Sequence, residues 1–475
     1  MAADAHGLPM TTASAAAVAH YDRAVDALLY FRPETLDVAT AAAAEDPGCA
    51  MAAALGAYLR LLSTEPADAA AARRLLAEYR TAAAGRALTP RETLHLRAGE
   101  AWASGDLHGA GRLLRRIARE HPRDALALAV GHQIDFFSGD ALALRDRIAE
   151  AVGAWPADHP HHGLLLGMLA FGLEEAGEYD AAEETGRRAV EENPRDVWGI
   201  HAVLHSYEMR ARAGDGLAFL EAREGDWAEG NGLAVHNWWH RALFLLEAGD
   251  VAAVRRAYDA RIFNVSPAGH APSPGLALEL LDASALLWRL LLDGHDETAR
   301  WQALGAAWGP QVDAPFYAFN DLHAVMAWAA SGDVARATQL VENRERYLDE
   351  PRPGVSNYAS TARIGVPACR AVVAFVEGRY GEVVERLAPI AHYLNELGGS
   401  HAQRDVLQRT LLEAALRAER RDVAAALVGE RLHAKPDSPY NWSQQARLHR
   451  ALGDERAAAT AEERRLERLQ KLRER

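Results

Sequence analysis

Along almost the whole chain, apolar residues recur at helical spacing, while the strict alternation that marks a half-buried strand is nearly absent. These helical runs are broken by a repeated punctuation, a glycine followed by Asp or Glu. It occurs at Gly105-Asp106, Gly139-Asp140, Gly177-Glu178, Gly214-Asp215, Gly249-Asp250, Gly332-Asp333 and Gly453-Asp454. The first five markers lie 34, 38, 37 and 35 residues apart. Looser counterparts stand at Gly294-His295 and Gly378-Arg379, and the interval from Gly378 to Gly453 holds two units with a turn expected near Arg417–Asp422. Two helices per period of about 34–38 residues are the signature of a helical repeat solenoid, the tetratricopeptide period being about 34. The segment Leu165–Pro194 carries the pattern in full. Gly177 ends its first helix, Ala182 and Ala189 permit close helix approach, and Pro194 stops the second helix. His95–Pro122 repeats it with Gly105, Ala110 and Ile117. The fold expected is therefore all-α, with tetratricopeptide-type helix pairs stacked into a right-handed superhelical solenoid.

The two ends depart from the period. Residues 1–90 read as helices around His20–Tyr30, Pro33–Ala44, Met51–Leu62 and Asp68–Ala84, a helical N-terminal cap continuous with the repeats of residues 91–456. Residues 457–475 form a charged helix with few apolar positions, suited to cap the other end. Longer connections are expected at Ile262–Gly275, Trp308–Pro315 and Asp349–Thr361, and loops of that length often cover a binding surface.

Charge and composition narrow the partners. A net charge of −14 disfavours non-specific binding to nucleic acid or to an anionic membrane. Cys49 and Cys369 are the only cysteines, so neither a disulfide framework nor a cysteine zinc site is expected, and a reducing cytoplasm is the default location. The Ala-rich start lacks the basic opening of a signal peptide, and no uninterrupted apolar run approaches the roughly 18 residues of a spanning helix.

Candidate chemistry concentrates between Val197 and Asp250, where two apolar helical segments each carry a histidine pair four residues apart: His201 with His205, and His236 with His240. That spacing puts both members of a pair on one helix face. In tetratricopeptide-type repeats the helix before the corner lines the concave side. By that rule His201, His205, Glu208, His236, Trp239, His240, Asp282, Asn320, Asp321, His323, Gln403, Arg404 and Asp405 all point to one hollow. Three readings compete there. The four histidines suit a divalent metal such as zinc or iron, with Glu208 or Asp321 as oxygen ligand. Metal-free acid–base catalysis would use His401 with Asp405 four residues on, His323 beside Asp321, and Arg404 as an anion clamp. A scaffold would hold a peptide on the concave face through Trp238, Trp239, Trp288, Trp301, Trp308 and Trp328. Against each stands a plainer account: histidines bonded within a packed interior, a surface His–Asp helix pair, and tryptophans that are mostly core. The cluster HPHHG at 159–163 reads as a solvated loop.

The strings HAVLHSYEM (201–209), NGLAVHNWWHRALFLLEAGD (231–250), LDASALLWRLLLDG (281–294), FNDLHAVMAWAASG (319–332) and GGSHAQRDVLQRTLLEAALR (398–417) resemble the tetratricopeptide repeat protein 38 family, in the same order, over roughly Ala125 to Leu432. The resemblance implies a helical solenoid of atypical repeats and assigns no reaction. The expected function is a polar, His- and Trp-lined pocket on the concave face that binds a small molecule or a peptide. The alternative is an enzyme acting there on a small polar molecule.

Overall fold

In the computed structural model, which describes residues 2–263 and 275–474, nearly every element is an α-helix. Among the described residues, the one sheet pairs Ala2–Ala3 with Pro9–Met10. Helices follow as packed pairs, from Pro90–Ala103 with Leu107–Glu120 to Pro439–Ala451 with Glu455–Arg473. The chain is thus an all-α solenoid of tetratricopeptide-like helix pairs. Before the repeats come Ala15–Leu29, Thr35–Glu45, Ala50–Leu61 and Pro66–Ala82, close to the helices expected there.

The glycine–acid corner has a two-part cause. Glycine adopts the left-handed backbone that ends the first helix, with φ of 97° at Gly105 and 95° at Gly332. The acid then caps the second helix. Asp106 accepts from the Gly109 N–H, Asp140 from Ala143, Asp250 from Ala253, Asp333 from Arg336 and Asp454 from Ala457. One marker was misplaced. Gly214-Asp215 lies inside the helix Ala213–Ala222, and the corner sits earlier, at Ala211 with φ 53°. The turn expected near Arg417–Asp422 falls at Glu419, φ 54°.

Two of the long connections are more ordered than open loops. Trp308–Pro315 contains a single 3-10 turn, Pro310–Val312, and the Gln311 amide donates to the Gly275 carbonyl. Asp349–Thr361 turns helical at Ser356 and runs through a π-turn at Thr361–Gly365 into Val366–Val376. The run Ser356–Val376 reaches 21 residues with a mean hydropathy of 1.3, so it has a spanning helix's length and composition, which the sequence expectation missed. Within the fold, 56 % of that apolar window is buried, and its arginines pair, Arg363 with Glu396 and Arg370 with Glu345. The third connection, Ile262–Gly275, lies outside the described residues over 264–274.

The coil closes on itself. The Ser356 N–H donates to the Gly105 carbonyl at 2.9 Å, Asn320 Nδ2 to the Thr64 carbonyl at 3.1 Å, and the Gly232 N–H to the Phe31 carbonyl at 2.7 Å. Phe31 stacks on Trp198 with centroids 5.3 Å apart. Gly139 makes part of this closure possible, because a Cβ there would stand 1.8 Å from the Asn395 carbonyl oxygen. Across the middle, the helix Ala277–Leu292 meets His401–Arg417. Trp288 Nε1 donates to Thr410 Oγ1 at 2.9 Å, and Arg289 donates to the Ala402 carbonyl at 2.6 Å. Side chains therefore fill much of the hollow of the coil.

Trp288 is fully buried at this crossing. Trp288→Ala should cost about 3–5 kcal/mol, read as a lower urea midpoint. A loss below about 1 kcal/mol would show that the crossing is not part of the core.

Candidate metal centre

Two helices bring the four histidines together. Val197–Met209 is capped by Asp196, which accepts from the Gly199 N–H, and nearly every residue along it is buried. That all-round burial turns His201 and His205 into the interior. Ala234–Glu247 packs against it and supplies His236 and His240. His201 Nε2 lies 3.0 Å from His236 Nε2, and one nitrogen from each of the four rings lies within 4.8 Å of the others. Ring centroids stand 4.4 Å apart for His201 and His205 and 4.5 Å for His205 and His240. Phe171 and Trp198 pack on His201, and Trp239 stacks on His236, so the cluster is walled by aromatic rings.

A second layer orients this cluster. Asp282, buried, receives His236 Nδ1 at 2.7 Å, which leaves the Nε2 lone pair facing His201. Gln403 Nε2 donates to the other Asp282 oxygen at 3.3 Å. Gln403 is held in turn by a capping box with Ser400 at the start of His401–Arg417. On the opposite side, Glu174 Oε2 lies 3.4 Å from His205 Nδ1, and His401 Nδ1 lies 3.5 Å from Glu174 Oε1 and from Glu175 Oε1. Glu175 accepts from the His401 N–H at 2.7 Å and from Arg404 at 3.0 Å.

Many of these buried polar atoms have no hydrogen-bond partner. They include His201 Nδ1, both nitrogens of His205 and of His240, and both oxygens of Glu174. Burial pushes the His201 and His240 imidazoles well below their ordinary values, so both are neutral near pH 7. Burial acts to raise the Glu174 carboxyl, yet His205 and His401 hold it well below the usual carboxylate range. Burial acts to lower His401, but Glu175 and Glu174 bring it above its ordinary value.

Other expected site residues go elsewhere. His401 does not pair with Asp405, whose carboxylate is taken by Arg409 and Arg431 at 2.6 Å each, because those arginines project onto it from two helices. Glu208 pairs with Lys435, and Asp321 with Arg344, so neither supplies an oxygen to the four histidines. Asn320 is occupied by Thr64. His323 gives Nδ1 to the Phe319 carbonyl rather than to Asp321, and burial lowers it to about 4. Arg404 holds Glu175 and the Gly399 carbonyl. All six tryptophans offered as anchors are buried, Trp239 among them, so none is presented to a peptide. HPHHG is not a solvated loop either: His161 meets Asp26 and His6, and His162 meets Glu192. Glu174 and Glu175 were missed. Their signal was two acids at the C-terminal end of an otherwise apolar helix, where the helix dipole disfavours negative charge.

A cavity of about 520 Å³ opens beside the cluster, with Glu175, His401, Arg404, Asp405, Gln408 and Arg431 in its wall. No family model matches the chain. Among solved structures, it is similar over 94 % of its length to a monomeric mutant of IFIT1 with Gppp-AAAA, at 13 % identity, 94 % of that chain and a TM-score of 0.36. It is also similar to the P58(IPK) TPR domain, at 14 % identity over 81 % of this chain and 98 % of that one, with a TM-score of 0.21.

The buried neutral imidazoles set a pH dependence for the metal-free protein. His323 at about 4 and His132 at about 3 are lowered by burial, in the same direction as His201 and His240. The unfolded chain takes protons on these rings near pH 6.5 and the folded chain only far below it. Stability is therefore present above about 6.5 and lost as pH falls toward 4. Asp196, raised by burial to about 7, opposes this, together with the raised carboxyls of Asp135, Asp293 and Asp321 and the raised His401. The melting temperature should drop by roughly 5 °C or more from pH 7 to pH 4.5, and an unchanged one would contradict a sealed imidazole interior.

Proposed function

We propose that this tetratricopeptide-like solenoid is a metalloprotein in which His201, His205, His236 and His240 hold one divalent transition-metal ion. With four imidazoles filling its coordination the ion would be a closed centre, and the small polar molecule binds beside it, in the cavity at His401. The observation that carries the reading is the set of buried ring nitrogens without partners. A buried polar atom left unpaired costs about 1–3 kcal/mol, and three of the four converging rings, His201, His205 and His240, carry such atoms, which an ion taking one lone pair from each ring explains. Tetrahedral zinc, with Zn–N of about 2.0–2.1 Å, would space its nitrogens by about 3.4 Å, between the 3.0 Å of His201 and His236 and the 4.8 Å limit of the cluster.

Charge supports the same reading. Asp282 and Glu174, behind His236 and beside His205, are buried and bring two negative charges to the rings. One dication offsets both. Asp282 on His236 is also the carboxylate–histidine arrangement that fixes tautomer and basicity in metal sites. Imidazole ligands suit zinc or iron(II). The strings that carry the resemblance to the tetratricopeptide repeat protein 38 family supply the four histidines, Asp282, His401 and Gln403. We place the protein in the cytoplasm, where the buried thiols of Cys49 and Cys369 stay free.

Purified protein, dialysed against a mild chelator and analysed for metals, should retain about one zinc or iron ion per chain. His205→Ala and His240→Ala should lose it, and Asp282→Asn should weaken it about 10–100-fold. Wild-type protein holding no more metal than His240→Ala would overturn the reading.

A further inference from the structure

Beside the four histidines stands a carboxylate that this ion does not satisfy. Glu174 is fully buried, and neither of its oxygens has a hydrogen-bond partner. It sits in the last turn of His162–Glu175, where the helix dipole adds to the cost of a negative charge. Its two oxygens face different imidazoles, Oε2 toward His205 Nδ1 at 3.4 Å and Oε1 toward His401 Nδ1 at 3.5 Å, both at the long edge of hydrogen-bonding distance. Nothing in the helix requires an acid here. What would relieve it is a positive charge between the two rings.

We propose that Glu174, His401 and His205 Nδ1 form a second divalent-cation position, so that the centre binds two metal ions with His205 between them as an imidazolate, its ring proton released to solvent when the second ion binds. The proposal rests on the four-histidine reading for its neighbour. His205 suits the shared place because both of its ring nitrogens are buried and unpartnered. Nδ1 faces Glu174, and the two nitrogens of an imidazole lie on different edges, so Nε2 is turned away from that carboxylate. The same ring stands 4.4 Å from His201 and 4.5 Å from His240. Glu175 completes the wall, with Oε1 3.5 Å from His401 Nδ1, while the His401 N–H and Arg404 fix its carboxylate.

The two positions differ in kind. The first is all nitrogen and almost sealed. The second mixes carboxylate and imidazole, and its His401 side chain is 32 % exposed in the wall of the cavity. A cation there keeps open coordination positions toward the cavity, as a catalytic site must. The chemical class of ligand that fits is a small anion bearing a carboxylate or phosphate oxygen, bound directly to the exposed ion.

Metal-stripped full-length protein titrated with zinc by calorimetry, and with cobalt by visible absorption, should take two equivalents, the second weaker. Glu174→Gln and His401→Ala should keep the first equivalent and weaken the second at least tenfold. His236→Ala should remove the tight first equivalent. His401 is partly exposed, so its variant decides the matter if Glu174→Gln does not fold. One equivalent in the wild type, or two that persist unchanged in His401→Ala, would overturn the second position and leave the four-histidine site intact. No equivalents at all would overturn both.

Discussion

Burying imidazoles and carboxylates together, with too few protein groups to pair them, is the constraint around which the middle of this molecule is built. An apolar helix such as Val197–Met209 folds readily because nearly every position on it can be interior. The cost appears only when the neighbouring helices arrive and seal His201, His205, His240 and Glu174 with nitrogens and oxygens unmatched. Such a cluster persists when the surrounding fold over-determines it and when something else takes up the unpaired atoms. The aromatic walls of Phe171, Trp198 and Trp239 supply the first condition, and a bound cation supplies the second in our reading.

Closure of the coil is what seals the cluster. An open solenoid presents a groove along which inner helices face solvent one after another. Here Ala277–Leu292 and His401–Arg417 cross the interior and touch, so groups 122 residues apart act on the same few ångströms. Ser400 caps a helix, Gln403 closes the capping box, the Gln403 amide reaches Asp282, and Asp282 orients His236. Each link is a local hydrogen bond, and the chain of links joins two distant repeats. Displacing any of them would turn the His236 ring before it changed the fold.

The polar residues divide into those that build and those that wait. Asp405 with Arg409 and Arg431, Asp321 with Arg344, and Asp135 with Arg147 are matched pairs whose groups are spent on each other. Buried pairs of this kind hold geometry and offer little to a ligand. Glu174, His205, His240 and His201 Nδ1 are unmatched, which separates them from the structural ion pairs more sharply than their residue types do.

Much of the architecture was already written in the order of residues. The glycine–acid corners announced helix pairs because φ > 0 and an N-cap carboxylate are local demands, met within a few residues. The i, i+4 histidine pairs were equally legible, since one helix turn decides that they share a face. Where local logic was ambiguous it failed: Gly214 looked like a corner, but the chain turned at Ala211. Tertiary structure alone decided which acids meet which bases. His401 and Asp405 share a helix face, yet Arg431 arrived from the next helix to claim Asp405, and Glu174 and Glu175 came from a repeat more than two hundred residues earlier to meet His401. Ion pairing follows distance in space, and that distance is set by how far the coil curls, a sum of small rotations at every corner that no single stretch of sequence specifies.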